Sequence, residues 1–149
     1  VSLREAFWPL LGNWTGVEEQ AASPWAPASS ARAMVTFKLD VGDAVVVQDY
    51  RQVRADGAEF SAHGVFMLDP AGAPILWWLF DSAGQPPAVA EGEWSSSTLT
   101  LTKHTPRGAA WHRFTVDGDE LAYAIEIQLG EDPVRSRFLT GRYRRISGH

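Results

Sequence analysis

Three polar side chains, His112, Tyr123 and Arg142, are spaced so that hairpin pairing sets them side by side. A turn at Pro106-Arg107 pairs Leu101 with His112 and Leu99 with Phe114. A turn at Asp117-Gly118 then pairs His112 with Tyr123 and Phe114 with Leu121. The last hairpin pairs Tyr123 with Arg142 and Ile125 with Thr140, although a slip of one residue would put Tyr143 where Arg142 stands. The rest of this face is apolar: Leu99, Leu101, Phe114, Leu121 and Ile125. Polar groups turned into such an interior need a partner, which can be one another, water or a ligand. His112 has the chemistry of a general acid or base with Tyr123 beside it. The plainer role for the same pair is a core histidine bonded to a tyrosine.

A second set comes from the chain's first half. A two-residue turn at Asp56-Gly57 pairs Val53 with Phe60, Asp49 with Gly64, and Val47 with Phe66. The loop at 40–44 places Val35, Phe37 and Leu39 on the same face. That face reads as interior, with Asp49 and Arg51 as its polar members. They would form an ion pair or orient a ligand's polar end. As a catalytic set the candidates are His112, Tyr123 and Asp49, with Asp49 or Arg142 as electrostatic support.

Other chemistries lack their residues. No nucleophile elbow, phosphate-cradling glycine loop, dinucleotide fingerprint or His-x-x-x-His pair occurs. With no cysteine, thiolate chemistry and cysteine zinc sites are excluded, and no metal site is expected. Glu18 and Glu19 are neighbours on a strand, so they point to opposite faces and cannot act jointly. Asp81-Ser82 suits a barrel mouth or an ordinary turn. His63 falls on the outer face opposite Tyr50, and neither His104 nor His149 is given a role.

The elements that must position these residues are strands. After a short helix with capping-box spacing at Ser2 and Glu5, apolar periodicity changes to two. About ten strands follow: Trp14–Gln20, Ala33–Leu39, Val45–Val53, Phe60–Leu68, Ile75–Phe80, Ala88–Trp94, Leu99–Lys103, Ala110–Val116, Leu121–Leu129 and Phe138–Arg145. Short turns separate most of them, among them Asp56-Gly57, Pro70-Ala71-Gly72 and Asp117-Gly118, as in a meander. A flat meander would leave two open edges, and closing it into a barrel removes them. The expected fold is all-β: one closed antiparallel meander barrel over residues 1–149, with the helix plugging one end. Its pocket walls would be Phe37, Phe66, Trp77, Trp94, Leu101, Phe114 and Ile125. Trp77 and Trp78 are adjacent, so one faces in and the other out. If Trp78 is outside, it joins Tyr50, His63, Val65, Met67 and Phe80 in a patch suited to a homodimer.

Net charge is −5, which argues against a general nucleic-acid binder. No apolar run approaches the roughly 20 residues of a membrane span. No signal-peptide pattern opens the chain, which begins at Val1, and the absence of cysteine fits a reducing, cytoplasmic setting. Seven tryptophans are many for 149 residues and must build a core or line a pocket.

Gly12-Asn13-Trp14-Thr15-Gly16, after a helix and before a meander, resembles the calycin superfamily of lipocalins, fatty-acid-binding proteins and nitrobindins. Val47-Gln-Asp-Tyr50, His63-Gly64, Phe80-Asp-Ser-x-Gly84, Gly92-x-Trp94 and Leu99-Thr-Leu101 further resemble a bacterial calycin-like family of unknown function. The resemblance implies a barrel with Trp14 inside its plugged end, beneath an arginine of the last strand, Arg142 or Arg144. Nitrobindin-like proteins hold haem through a histidine near the C-terminus. Phe138 to Ser147 contains none, so a haem here would need His112. The leading expectation is therefore binding of a small, largely apolar molecule without a cofactor. Its expected contacts are Trp14, Phe37, Asp49, Arg51, Phe66, Trp77, Trp94, Leu101, His112, Phe114, Tyr123, Ile125 and Arg142. The alternatives are a cyclase, hydratase or isomerase using His112 and Tyr123, and a nitrobindin-like haem protein.

Overall fold

In the computed structural model, which describes residues 2–71 and 73–148, Ser2 caps a short helix, α1 (Leu3–Phe7). The Ser2 hydroxyl accepts from Glu5 N at 3.1 Å, and the Glu5 carboxylate accepts from Ser2 N, closing the capping box. Val1, Gly72 and His149 lie outside the described residues, and with Gly72 so does one residue of the expected Pro70-Ala71-Gly72 turn.

Ten strands follow: β1 (Gly12–Gln20), β2 (Ser29–Asp40), β3 (Val45–Arg54), β4 (Glu59–Leu68), β5 (Ile75–Asp81), β6 (Ala90–Ser95), β7 (Thr98–Thr105), β8 (Gly108–Asp117), β9 (Glu120–Leu129) and β10 (Ser136–Ser147). Each pairs antiparallel with its sequence neighbours, and β1 pairs with β10 to close the barrel. The expected all-β meander barrel with an N-terminal helix is the fold observed. Among the described residues no helix is long and apolar enough to cross a membrane.

Phe7, the last residue of α1, and Leu10 and Leu11 after it fill one end of the barrel. Phe7 packs on Phe66 with centroids 5.0 Å apart, and Phe37 meets Phe114 edge-on at 5.8 Å. Trp14 lies beneath, its indole N–H donating to Leu10 O at 2.9 Å. The arginine over its ring is Arg145, 4.3 Å from the centroid, not Arg142 or Arg144. Arg145 is the direct partner of Trp14 in the β1–β10 ladder, which sets it over the ring. Its guanidinium also donates to Leu11 O and, at 2.8 Å, to Pro9 O, so it ties the plug to the last strand.

Register decides which side chains reach the interior, and here two expectations need correcting. The β3–β4 connection is not a two-residue turn. Arg54 N donates to Ala58 O and Gly57 N to Arg54 O, with Gly57 at φ +88°, which leaves residues 55–57 as the loop. One extra loop residue shifts pairing by one and exchanges the faces of β3. Gln52 pairs with Phe60, Gln48 with Gly64 and Val46 with Phe66. Val46, Gln48, Tyr50 and Gln52 therefore point inward, while Asp49 and Arg51 point out. Tyr50 consequently leaves the outer patch proposed for a homodimer.

The last hairpin slips likewise. A bulge between Arg137 and Leu139 pairs Tyr123 with Gly141, so Tyr143 faces inward and Arg142 is exposed. The β8–β9 turn differs by two residues, pairing Phe114 with Tyr123 and His112 with Ile125. An even shift preserves facing, so His112, Phe114, Leu121 and Tyr123 stay inside. The β7–β8 pairs Leu101–His112 and Leu99–Phe114 are as expected. Trp77 faces in, and Trp78 is on the outer face.

Candidate functional site

Opposite the plug, the barrel holds a cavity of about 290 Å³. Its apolar walls include Phe60, Leu79, Ile125, Ile127, Phe138 and Leu139. At its floor Trp77 stands edge-on to His112, with ring centroids 4.8 Å apart. Near the mouth the wall is thin. β5 and β6 share only the pairs from Ile75–Gly92 to Trp77–Ala90, so Leu79 and Asp81 have no β6 partner.

His112 and Tyr123 meet on one side of Trp77 at the floor, and Gln48 bonds it on the other. His112 Nδ1 is 2.5 Å from the Tyr123 hydroxyl, and both residues are buried. Among the described residues Tyr123 has no other hydrogen-bond partner, so the arrangement that satisfies its O–H has it donating to Nδ1, leaving the hydrogen on Nε2. Burial, and then the charge of Lys103, depress the imidazole to about 3, so it stays neutral in the fold. Burial, and then Glu18, push the Tyr123 phenol up. On the other side of Trp77, the indole N–H donates to Gln48 Oε1 at 3.0 Å. An indole nitrogen can only donate, so this bond sets the Gln48 amide with Nε2 turned away from Trp77. Gly64 makes the contact possible: a Cβ there would overlap Gln48 Oε1 and come within 2.7 Å of Trp77 Nε1.

Behind the wall lies Glu18, 1 % exposed. Its carboxylate accepts from Tyr50, from Tyr143 and, at 2.8 Å, from Gln52 Nε2. Burial raises its pKa, opposed by the bonds from Tyr50 and Gln52. Burial, and then the Glu18 charge, in turn raise the Tyr50 phenol. Gly141 leaves room for this cluster, since a Cβ there would sit 3.0 Å from Glu18 Cγ and from the Tyr143 hydroxyl. Closer to the mouth, Arg54 Nε donates to Gln52 Oε1 at 3.2 Å, and Lys103 lines the cavity with its pKa lowered by burial and held up by Asp81.

The residues expected from the sequence divide by place. Trp77, His112, Tyr123 and Ile125 line the cavity. Trp14, Phe37, Phe66, Trp94, Leu101 and Phe114 are interior but lie outside its lining, packed toward the plug. Asp49, Arg51 and Arg142 face away from it. Asp49 instead bonds His63 Nδ1 at 2.8 Å on the outer surface, where both side chains are at least half exposed. Arg51 pairs with Glu59.

The sequence reading missed Glu18, Gln48, Tyr50, Gln52, Lys103 and Tyr143. Glu18 carried a signal, since it falls two strand pairs beyond the inward Trp14 and so shares its face. Among the described residues no three His, Cys, Asp or Glu side chains are placed to hold a metal ion.

No family model and no curated protein sequence matches this chain. Solved structures do resemble it. Rv2717c from M. tuberculosis aligns with a TM-score of 0.76 at 20% identity, covering 99% of this chain and 99% of that one. The S-type phycobiliprotein lyase CPES from Guillardia theta aligns with a TM-score of 0.72 at 13% identity, covering 100% of this chain and 95% of that one. At such identities the likeness is one of fold.

Proposed function

We propose that this barrel binds one small, largely apolar molecule in the cavity opposite its plug. The observation that carries the proposal is the cavity itself: about 290 Å³, walled by aromatic and aliphatic side chains, with oriented polar groups at its floor. That is the usual anatomy of a small-molecule site. A barrel serving only as structure would fill this space with its own side chains. That a phycobiliprotein lyase is built on the same fold supports reading the scaffold as a working one.

Acid–base turnover by His112 and Tyr123 ranks below binding. An imidazole depressed to about 3 beside a phenol pushed upward leaves neither group poised near neutral pH. We assign the cavity no haem. His112 is the sole inward-facing histidine among the described residues, and its ring is held between the Tyr123 hydroxyl and the Trp77 edge. Only Nε2 is left toward the cavity, and a space of about 290 Å³ is small for a porphyrin.

The test is titration with the neutral probe N-phenyl-1-naphthylamine, followed by its fluorescence. Saturable one-to-one binding is expected, weakened at least tenfold by the cavity-filling change Ala110→Phe while the variant keeps its folded circular dichroism. Absence of binding to the folded protein, or binding that Ala110→Phe leaves untouched, removes the proposal.

A further inference from the structure

At the cavity floor the hydrogen-bond network consumes acceptors and leaves donors, whereas toward the mouth the Gln20 amide and one Asp81 oxygen have no hydrogen bond among the described residues. Gln48 Oε1 is taken by Trp77, Gln52 Oε1 by Arg54, and His112 Nδ1 by Tyr123. Both Glu18 oxygens are occupied by Tyr50, Gln52 and Tyr143, and Glu18 lies behind the wall rather than in it. Asp81, the one carboxylate in the lining, accepts from Ala83 N at 3.0 Å and faces the charge of Lys103. The described residues give no acceptor to Gln48 Nε2, His112 Nε2 or Lys103 Nζ. Gln48 and His112 flank Trp77 at the floor. Lys103 lies diagonally above His112, its partner Ala110 standing two residues before His112 on β8.

We infer that the molecule bound here carries a carboxylate on an aromatic or aliphatic body, with the carboxylate seated against Gln48, His112 and Lys103. This inference rests on the binding proposal above and adds the chemistry of the ligand's polar end. An acceptor group would satisfy the two amide hydrogens of Gln48 and the hydrogen on His112 Nε2, which are otherwise costly to leave dry beneath an apolar ligand. A negative charge would also relieve the partly buried Lys103, whose ammonium loses water on the cavity side. A ligand with a protonated amine would instead meet donors at Gln48, His112 and Lys103.

The experiment compares three molecules sharing one ring system: 2-naphthoate, 2-naphthamide and 2-(aminomethyl)naphthalene, each measured by calorimetry at neutral pH. The expected order is naphthoate tightest, then naphthamide, with naphthoate at least about tenfold tighter than the amine, as a charge-assisted bond implies. Lys103→Met should weaken naphthoate about tenfold and change naphthamide little. Gln48→Glu, which keeps the acceptor for Trp77 but replaces the amide hydrogens by an oxygen, should weaken both. The amine binding as tightly as naphthoate, or Lys103→Met leaving naphthoate unchanged, overturns the inference. In that case binding of N-phenyl-1-naphthylamine would still uphold the cavity as a ligand site. Failure of all four molecules to bind the folded protein would remove both.

Discussion

Glu18 shows how a single carboxylate can organise a barrel wall. Three neutral donors converge on it, so changing it to Gln sets an amide N–H2 against at least one of them. Urea unfolding of Glu18→Gln should show a loss of about 1–3 kcal/mol, the cost of an unsatisfied buried group. His112 makes an opposite kind of demand. Its folded pKa is about 3 against an ordinary 6.5, so the unfolded chain takes up the proton first. Its contribution is therefore complete above about pH 6.5 and falls by about 1.4 kcal/mol per pH unit as pH drops from there toward 3. Glu18, with its pKa raised, acts in the reverse sense, losing its contribution as pH rises from 4.5 through the raised value. The His112 effect is isolated by comparing wild type with His112→Asn. The stability difference between them should shrink by about 2 kcal/mol from pH 7 to pH 5. A constant difference would mean that His112 is accessible to protons in the fold.

At the scale of elements, loops and bulges do the positioning. The three-residue β3–β4 loop, with Gly57 at φ +88°, turns Gln48, Tyr50 and Gln52 inward. A Cβ on Gly57 would meet nothing within 4 Å, so Gly57→Ala pays only for the left-handed backbone, about 1 kcal/mol by thermal unfolding. The two arginines of β10 test the plug. Arg145 stacks on Trp14 and donates to Pro9 and Leu11 carbonyls, whereas Arg142 is exposed. Arg145→Ala should cost about 2–3 kcal/mol, and Arg142→Ala no more than about 0.5 kcal/mol. Comparable losses from both would put Arg142 back inside and overturn the register of β10.

For the molecule as a whole, barrel closure removes free sheet edges, and the aromatic plug at one end leaves space at the other. A ligand bound only by the folded state stabilises it by mass action, about 2.7 kcal/mol at a hundredfold excess over Kd. For a chain of this length the midpoint should rise by roughly 5–10 °C. Differential scanning fluorimetry with increasing naphthoate checks this, and Ala110→Phe should cut the rise by about half or more.

The strand count, the capped N-terminal helix, the closed meander and the inward His112 and Tyr123 could all be read from the residues. Period-two alternation marks strands wherever one face is buried, and a turn error of two residues leaves every face as it was. The same alternation explains what failed. One extra loop residue at 55–57 and one bulge near Phe138 exchanged inner for outer faces on β3 and β10. Asp49, Arg51 and Arg142 were thereby traded for Gln48, Tyr50, Gln52 and Tyr143. Loop length and bulges are settled by how the whole barrel closes, because the interior must be filled and its polar groups satisfied together. Local sequence therefore determined that this chain forms strands of a barrel with a mostly apolar interior. Tertiary closure alone decided which polar side chains gather around Glu18 and which ones face the cavity.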